Sequence, residues 1–257
     1  MKSIKKMLSS NAFMVRKFVE IVKYYINFKS HLLYRKHKKA FIAKGGQIDK
    51  KYKIISDFNA QAGRLGQYFV QDLHVARMIY ENQPNNHFDV GSRIDGFIAH
   101  VATFMKINIM DIRPLDSQVR NIKYIQQDLM NPKIDLLNSL ESISCLHAIE
   151  HFGLGRYGDE IDPKGHIKGF ENIIRMLKPN GILYISFPIS SHERIEFNAH
   201  RVFHQKSILN WSPMINTLDL KQFDYVDDQG KLYLNQSIDD EIAKLNYGVG
   251  IYTFKKL

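Results

Sequence analysis

Asp89-Val90-Gly91-Ser92-Arg93-Ile94-Asp95-Gly96 follows a short β-rich run at residues 88–90 and precedes a stretch of helical character near 97–105. A glycine directly after a strand lets backbone approach a ligand closely, so the segment reads as a ligand-facing turn between a first strand and its helix. Working outward, β-rich runs at 107–110, 122–125, 143–146 and 182–187 alternate with helical patterns, the clearest at 167–177. Strands that alternate with helices pair in parallel through right-handed crossovers. The expected fold is therefore α/β, a doubly wound Rossmann-like sheet with helices on both faces. Lys178-Pro179-Asn180-Gly181 predicts a helix stop and turn before the fifth strand, and residues 211–220, 223–226 and 248–254 are expected to close the sheet. Upstream, Tyr68, Phe69, Leu73, Val75, Ala76, Ile79 and Tyr80 predict an amphipathic helix over 67–83.

In such sheets the ligand sits beyond the carboxyl ends of the strands. There the sequence places Asp111 after the second strand, about 20 residues past the first turn, where a carboxylate can accept hydrogen bonds from two ribose hydroxyls. Asp128 follows the third strand, and His147-Ala148-Ile149-Glu150-His151 the fourth. A glycine turn with acids after strands two and three is an ordered set, more specific than the turn alone.

These residues resemble the class I S-adenosylmethionine-dependent methyltransferases. The resemblance implies that the glycine turn, with Asp89, Gly91, Arg93 and Gly96, holds the cofactor's amino acid end, that Asp111 holds its ribose and that Asp128 holds its adenine. Leu177-Lys178-Pro179-Asn180-Gly181-Ile182-Leu183 is similar to the family's entry into its fifth strand. More closely, Tyr68 through Leu73, Asp89 through Phe97, Asp111 through Leu115, Leu146 through Asp159 and Phe197 through Phe203 resemble a bacterial family labelled as a domain of unknown function, number 268, over about Gly66 to Asp228. One departure stands out: Arg93 occupies the place of the family's second glycine, where it either pairs with the methionyl carboxylate or obstructs the pocket.

Methyl transfer from a sulfonium needs alignment, and an oxygen acceptor also benefits from a base of near-neutral pKa. His151 is the first candidate base and His147 the second, with Glu150 orienting an imidazole or binding a hydroxyl; each histidine is equally open to a hydrogen-bonded structural role. Glu196, Asn198, His200 and Arg201 form a second polar cluster suited to a sugar-like or anionic acceptor, or else stitch a loop to the sheet. The same His147-to-His151 segment satisfies the H-x-x-E-H pattern of inverted zinc peptidases. That pattern requires a helix, whereas residues 143–146 read as a strand and Gly153 and Gly155 follow closely, so no metal is expected.

Composition bounds the rest. The 257 residues are 44% hydrophobic and 12% aromatic, ordinary values for a globular chain, and the single Cys145 excludes an internal disulfide. No run approaches about 18 uncharged apolar residues, so no transmembrane helix is expected, and the N-terminus reads as uncleaved. Through Lys53 there are 15 Lys and Arg against two acids, a net +13 that leaves −3 for the remainder. That asymmetry argues against nucleic-acid binding by the main body. Residues 1–53 are expected to form a basic helical extension and 54–257 the catalytic-type domain. Met14, Phe18, Ile21, Tyr25, Phe28 and Leu32 recur at helical spacing, so residues 1–39 either dock on protein or meet an anionic membrane. The reading is a cytoplasmic protein, or one held at the inner membrane surface, that binds S-adenosylmethionine and methylates an oxygen of a small polar acceptor such as a surface-polysaccharide precursor. A non-catalytic or differently liganded scaffold in an assembly complex is the alternative.

Overall fold

A computed structural model describes residues 28–58, 60, 62–63, 65–133, 136–239, 242 and 245–257. The chain divides into two compact units, 1–64 and 65–257. In the first, residues 28–43 form helix α1, which carries Arg35, Lys36, Lys38 and Lys39 and leaves Phe28, Leu32, Phe41 and Ile42 about half exposed. Met14 to Tyr25 of the expected amphipathic run lie outside the described residues. No described helix is long and apolar enough to cross a membrane.

In the second unit the apolar patterning decides the layers. Leu183, Ile185 and Phe187 alternate with Tyr184 along one strand; the first three pack into one core cluster with Phe170, Ile173 and Ile174, whereas Tyr184 packs into the other with Val75, Ala76 and Ile79. Side chains of a strand point alternately to its two faces, so both faces must be covered. Helix α2 (Gln67–Asn82) and helix α3 (Ala99–Ala102) supply one cover, and helix α4 (Gly165–Met176) the other. Each fully buried Phe or Ile contributes about 1.5–3 kcal/mol to that layering. On α2 the buried stripe is Gln71, Asp72, Val75, Ala76 and Ile79. Phe69, Leu73 and Tyr80, which the pattern groups with the core, are exposed instead.

The strands in chain order are β1 (His87–Val90), β2 (Ile107–Asp111), β3 (Ile122–Gln126), β4 (Leu140–Leu146), β5 (Leu177–Ile189), β6 (Arg194–Glu196), β7 (His200–Val202), β8 (Leu218–Val226), β9 (Leu232–Tyr233) and β10 (Gly248–Lys256). Eight of them form one sheet in the order β3-β2-β1-β4-β5-β10-β8-β9. The first five pair in parallel, and β10 and β8 close the edge antiparallel. This is the methyltransferase-type Rossmann-like sheet. The order reverses between β1 and β4, the switch point at which open α/β sheets bind ligands.

Three local departures have physical causes. The expected helix at 97–105 is a widened turn over Ile94–Ile98 joined to the short α3, with Gly96 outside helical geometry at φ −124° and ψ −106°. Lys178 to Gly181 bulges out of β5, shifting its register against β4 between Leu140 and Ser142. Residues 211–217 end in a 3₁₀ turn (Pro213–Thr217), capped by Ser212, before β8 begins.

Candidate functional site

The glycine turn is held from beneath by a buried polar chain. His87 at the start of β1 places Nε2 2.9 Å from Ser144 Oγ and Nδ1 2.8 Å from Ser142 Oγ, both on β4. Ser144 Oγ donates to Asp89 Oδ1 at 2.5 Å, as Ser92 Oγ does at 2.6 Å, while the Ser92 N–H donates to Asp89 Oδ2 at 2.9 Å. Ser92 Oγ in turn accepts the Leu146 N–H at 3.1 Å. Burial pushes the Asp89 carboxyl up to about 6 and the His87 imidazole down to about 3. Asp89 therefore braces the turn and does not line the cleft.

Above it, Gly91 adopts φ +66°, and a Cβ there would stand 3.0 Å from Ala148 Cβ. Arg93 has ordinary extended geometry, φ −67° and ψ 126°, so the backbone does not demand a second glycine. Its side chain turns to Asp95 at 3.2 Å and lies over the Tyr68 ring at 5.8 Å. Gly96 leaves room for Asp72, whose Oδ2 would be 2.5 Å from an added Cβ. It packs beneath the turn, away from the cleft.

Beyond the strand ends lies a cleft of about 650 Å³ lined by Tyr68, Arg93, His147, His151, His200 and Tyr247 among others. Gly91, Asp111, His147 and His151 line both this cleft and a narrower neighbouring recess, which is also lined by Met110, Gln127, Asp128 and Leu129. Asp128 Oδ1 accepts the Met130 N–H at 2.8 Å, which shapes the recess wall. Asp111 borders both cavities, and its carboxylate is gripped by Arg113, with Nη2 2.6 Å from Oδ2 and Nε 3.0 Å from Oδ1. The Arg113 guanidinium lies 4.5 Å over the Tyr157 ring.

The segment after β4 is a strand end followed by a 3₁₀ turn (Ile149–His151), with His147 at φ +51°. Its histidines therefore do not share a helical face, as a zinc peptidase motif requires. Among the described residues, no group of three or more His, Cys, Asp or Glu could hold a metal. His147 Nδ1 lies 3.0 Å from Glu150 Oε1, and the Tyr68 ring packs against His147 with centroids 4.3 Å apart and planes inclined at 49°. Burial raises the Glu150 carboxyl, but the hydrogen bond from His147 and the charges of both histidines outweigh it and hold the group below its usual range. Two buried atoms of this pair, His147 Nε2 and Glu150 Oε2, have no hydrogen-bond partner. His151 Nδ1 donates to the Ala199 carbonyl at 2.6 Å, and burial lowers its pKa. The neutral ring thus carries its proton on Nδ1 and leaves Nε2 as an acceptor, 3.7 Å from Glu150 Oε1.

The second polar cluster splits. β6 and β7 form a hairpin, and from it His200 lines the cleft while the Ala199 carbonyl orients His151. Asn198 turns the hairpin at φ +62°, and Glu196 pairs at the surface with Arg194 at 2.8 Å. Arg201 is buried away from the cleft; Nη1 donates to the Glu150 and Phe152 carbonyls at 3.2 and 2.7 Å, and Nη2 to Pro163 at 3.3 Å. The resemblance implied no role for Arg113, Arg156 or Tyr157, although all three lie within the segments that carry it. Their signal was placement alone, a cation two residues after Asp111 and an Arg-Tyr pair between glycines.

Comparison with known proteins agrees with this architecture. Residues 99–222 match the model of a family described as "Caenorhabditis protein of unknown function, DUF268". That description names a nematode genus, so the bacterial label attached to the resemblance is not supported, and the match begins after the glycine turn. No curated protein matches. Among solved structures the chain is similar to the N-methyltransferase NodS from Bradyrhizobium japonicum WM9 in complex with S-adenosyl-L-homocysteine, at 13% identity over 72% of this chain and 85% of that one, with a TM-score of 0.50. It is also similar to the [4+2]-cyclase SpnF, at 13% identity over 77% of this chain and 85% of that one, with a TM-score of 0.52. The fold is thus that of the class I methyltransferases. A methyltransferase and a cyclase on one fold show that the site, not the sheet, must decide the reaction.

Proposed function

We propose that this protein is an S-adenosylmethionine-dependent O-methyltransferase for a small, polyhydroxylated acceptor of the sugar type. The observation that carries the reading is the adjacency of two cavities at the switch point: a recess walled by Gly91, Asp111 and Asp128 shares Gly91, Asp111 and His151 with a polar cleft. The close approach at Gly91 and the carboxylate at the end of β2 fit a nucleoside cofactor. Gly91 and Ser92 would hold its amino acid end, with Arg93 at the rim, Asp111 its ribose and Gln127 to Leu129 its base. When bound, S-adenosylmethionine supplies an electrophilic methyl group on a sulfonium.

The chain's own residues then have separable tasks. Tyr68, His200 and Tyr247 wall the acceptor, and His151 Nε2 takes the proton that the acceptor hydroxyl loses as its oxygen gains the methyl. The Ala199 carbonyl fixes the ring for that task. Calorimetric titration of the full chain with S-adenosylmethionine and S-adenosylhomocysteine tests the reading. Micromolar binding supports it, and no binding of either nucleoside turns the assignment to a scaffold.

The basic residues 1–39 are assigned to an anionic membrane surface at the inner leaflet, where lipid-linked sugar precursors are presented. Support comes from the exposed Phe28 and Leu32 beside Arg35, Lys36, Lys38 and Lys39. Deletion through Lys39 should abolish binding to liposomes of anionic lipid; unchanged binding sinks the assignment.

A further inference from the structure

The segment between His151 and α4 is built around its own carboxylate. Asp159 Oδ2 accepts the Gly153 and Gly155 N–H groups at 2.8 and 3.1 Å, and Oδ1 accepts the Tyr157 N–H at 3.2 Å. Gly153, Gly155 and Gly158 all adopt positive φ, and a Cβ on Gly153 would stand 2.0 Å from the Asp162 carbonyl oxygen. Three convergent N–H groups make an anion-binding concavity, here filled from within, so the loop is preformed. Its product is the presentation of Arg156 and Tyr157 to the cleft.

Three arginines line that cleft, and their charges are disposed differently. Arg93 is paired with Asp95 and Arg113 with Asp111. Arg156 forms no ion pair with a carboxylate among the described residues. Its guanidinium is held instead by neutral groups: Nη1 donates to the Ala199 carbonyl, which it shares with His151, at 3.1 Å, and Cζ lies 5.2 Å over the Tyr157 ring. With one N–H tethered, the rest of the fork remains available to an oxyanion. The guanidinium thus stands beside the His151 ring, with Nη1 3.4 Å from Nδ1.

We infer that the acceptor is a phosphorylated polyhydroxyl compound, with its phosphate seated on Arg156. The inference rests on the methyltransferase reading for the reaction, but the anion site itself does not depend on it. The unneutralised guanidinium beside the candidate base selects an anionic ester over the neutral sugar.

The test uses the full chain with glucose 1-phosphate, glucose and inorganic phosphate as probes, each titrated calorimetrically, and S-adenosylhomocysteine titrated in parallel. Glucose 1-phosphate should bind at least tenfold more tightly than glucose, and inorganic phosphate should compete with it. Arg156→Ala should remove that preference, Arg156→Lys should retain part of it, and both should leave S-adenosylhomocysteine affinity and the melting temperature unchanged. Equal binding of glucose and its phosphate, or a preference that survives in Arg156→Ala, overturns the assignment. Phosphate-ester selectivity without any binding of the nucleoside upholds the anion site and defeats the methyltransferase reading.

Discussion

Asp111 and Arg113 form a two-point ion pair at the mouth of the recess, with Nη2 to Oδ2 at 2.6 Å and Nε to Oδ1 at 3.0 Å. The carboxylate that the second strand delivers is therefore already held by a cation from its own loop. Arg113 is about half exposed, so this pair contributes only about 0–1 kcal/mol, whereas each hydrogen bond from a ribose hydroxyl to a carboxylate is worth about 1.5–3 kcal/mol. Ribose hydroxyls can compete on those terms. Asp111→Ala is expected to weaken S-adenosylhomocysteine binding by about tenfold to a hundredfold. An unchanged calorimetric affinity would mean that Asp111 serves Arg113 alone.

At Gly91 the backbone is left-handed and the Ala148 methyl group is close. A left-handed non-glycine residue costs about 1–2 kcal/mol, and the 3.0 Å approach adds to it. Gly91→Ala should lower stability by about 1–2 kcal/mol or more in urea unfolding and weaken nucleoside binding as well. Full stability in the variant would contradict the tight turn.

His151 should titrate below the ordinary imidazole value of about 6.5, because burial disfavours its cation. The base is then competent at neutral pH and is lost as pH falls. Nitrogen-detected NMR of the imidazoles should show His151 as the Nδ1–H tautomer at pH 7.5, set by the Ala199 carbonyl. An Nε2–H tautomer, or a midpoint above 7, removes it as the base. Once an acceptor is in hand, His151→Gln should lower kcat by about 10²–10⁴-fold.

His87, fully buried, is held neutral down to about pH 3. The unfolded chain binds a proton there near pH 6.5, so the unfolded state takes up more protons than the folded state between those values, and stability is lost as pH falls through that window. Lowering the pH from 7 to 5 should cost the wild type about 2 kcal/mol more than it costs His87→Asn. Asp89 works in the opposite sense: its raised pKa of about 6 returns stability as pH falls below that value. Equal pH dependence in wild type and variant, read by urea unfolding at both pH values, would refute the assignment to His87.

The sheet was legible because its signals are local. Short β-rich runs, helical stripes and the Lys178-to-Gly181 turn each declare themselves within a few residues, and their alternation implies parallel pairing around a switch point. The exposure of Phe69, Leu73 and Tyr80 was not legible, because helical spacing alone does not say which of two apolar sides meets the sheet. Within the site, sequence order correctly brought Gly91, Asp111, Asp128 and His147-to-His151 to the strand ends. It assigned Asp89, Gly96 and Arg201 to ligands because a polar residue or glycine near a strand end looks the same whether it faces the cleft or the interior.

By itself, then, the amino-acid order determined the class of sheet, the strand ends that meet at its reversal and the presence of acids and imidazoles there. Tertiary structure decided which of those groups are free. Asp89 is spent on Ser92 and Ser144, Arg201 on loop carbonyls, and Arg113 on Asp111. Arg156 lines the cleft without a carboxylate partner among the described residues, and Asp159 of the same loop accepts that loop's backbone N–H groups. The physical reason is that hydrogen bonding and charge neutralisation depend on distances between residues remote in sequence: Asp89 and Ser144, or His151 and Ala199, are separated by about fifty positions and meet only when the strands pair and the hairpin folds over them.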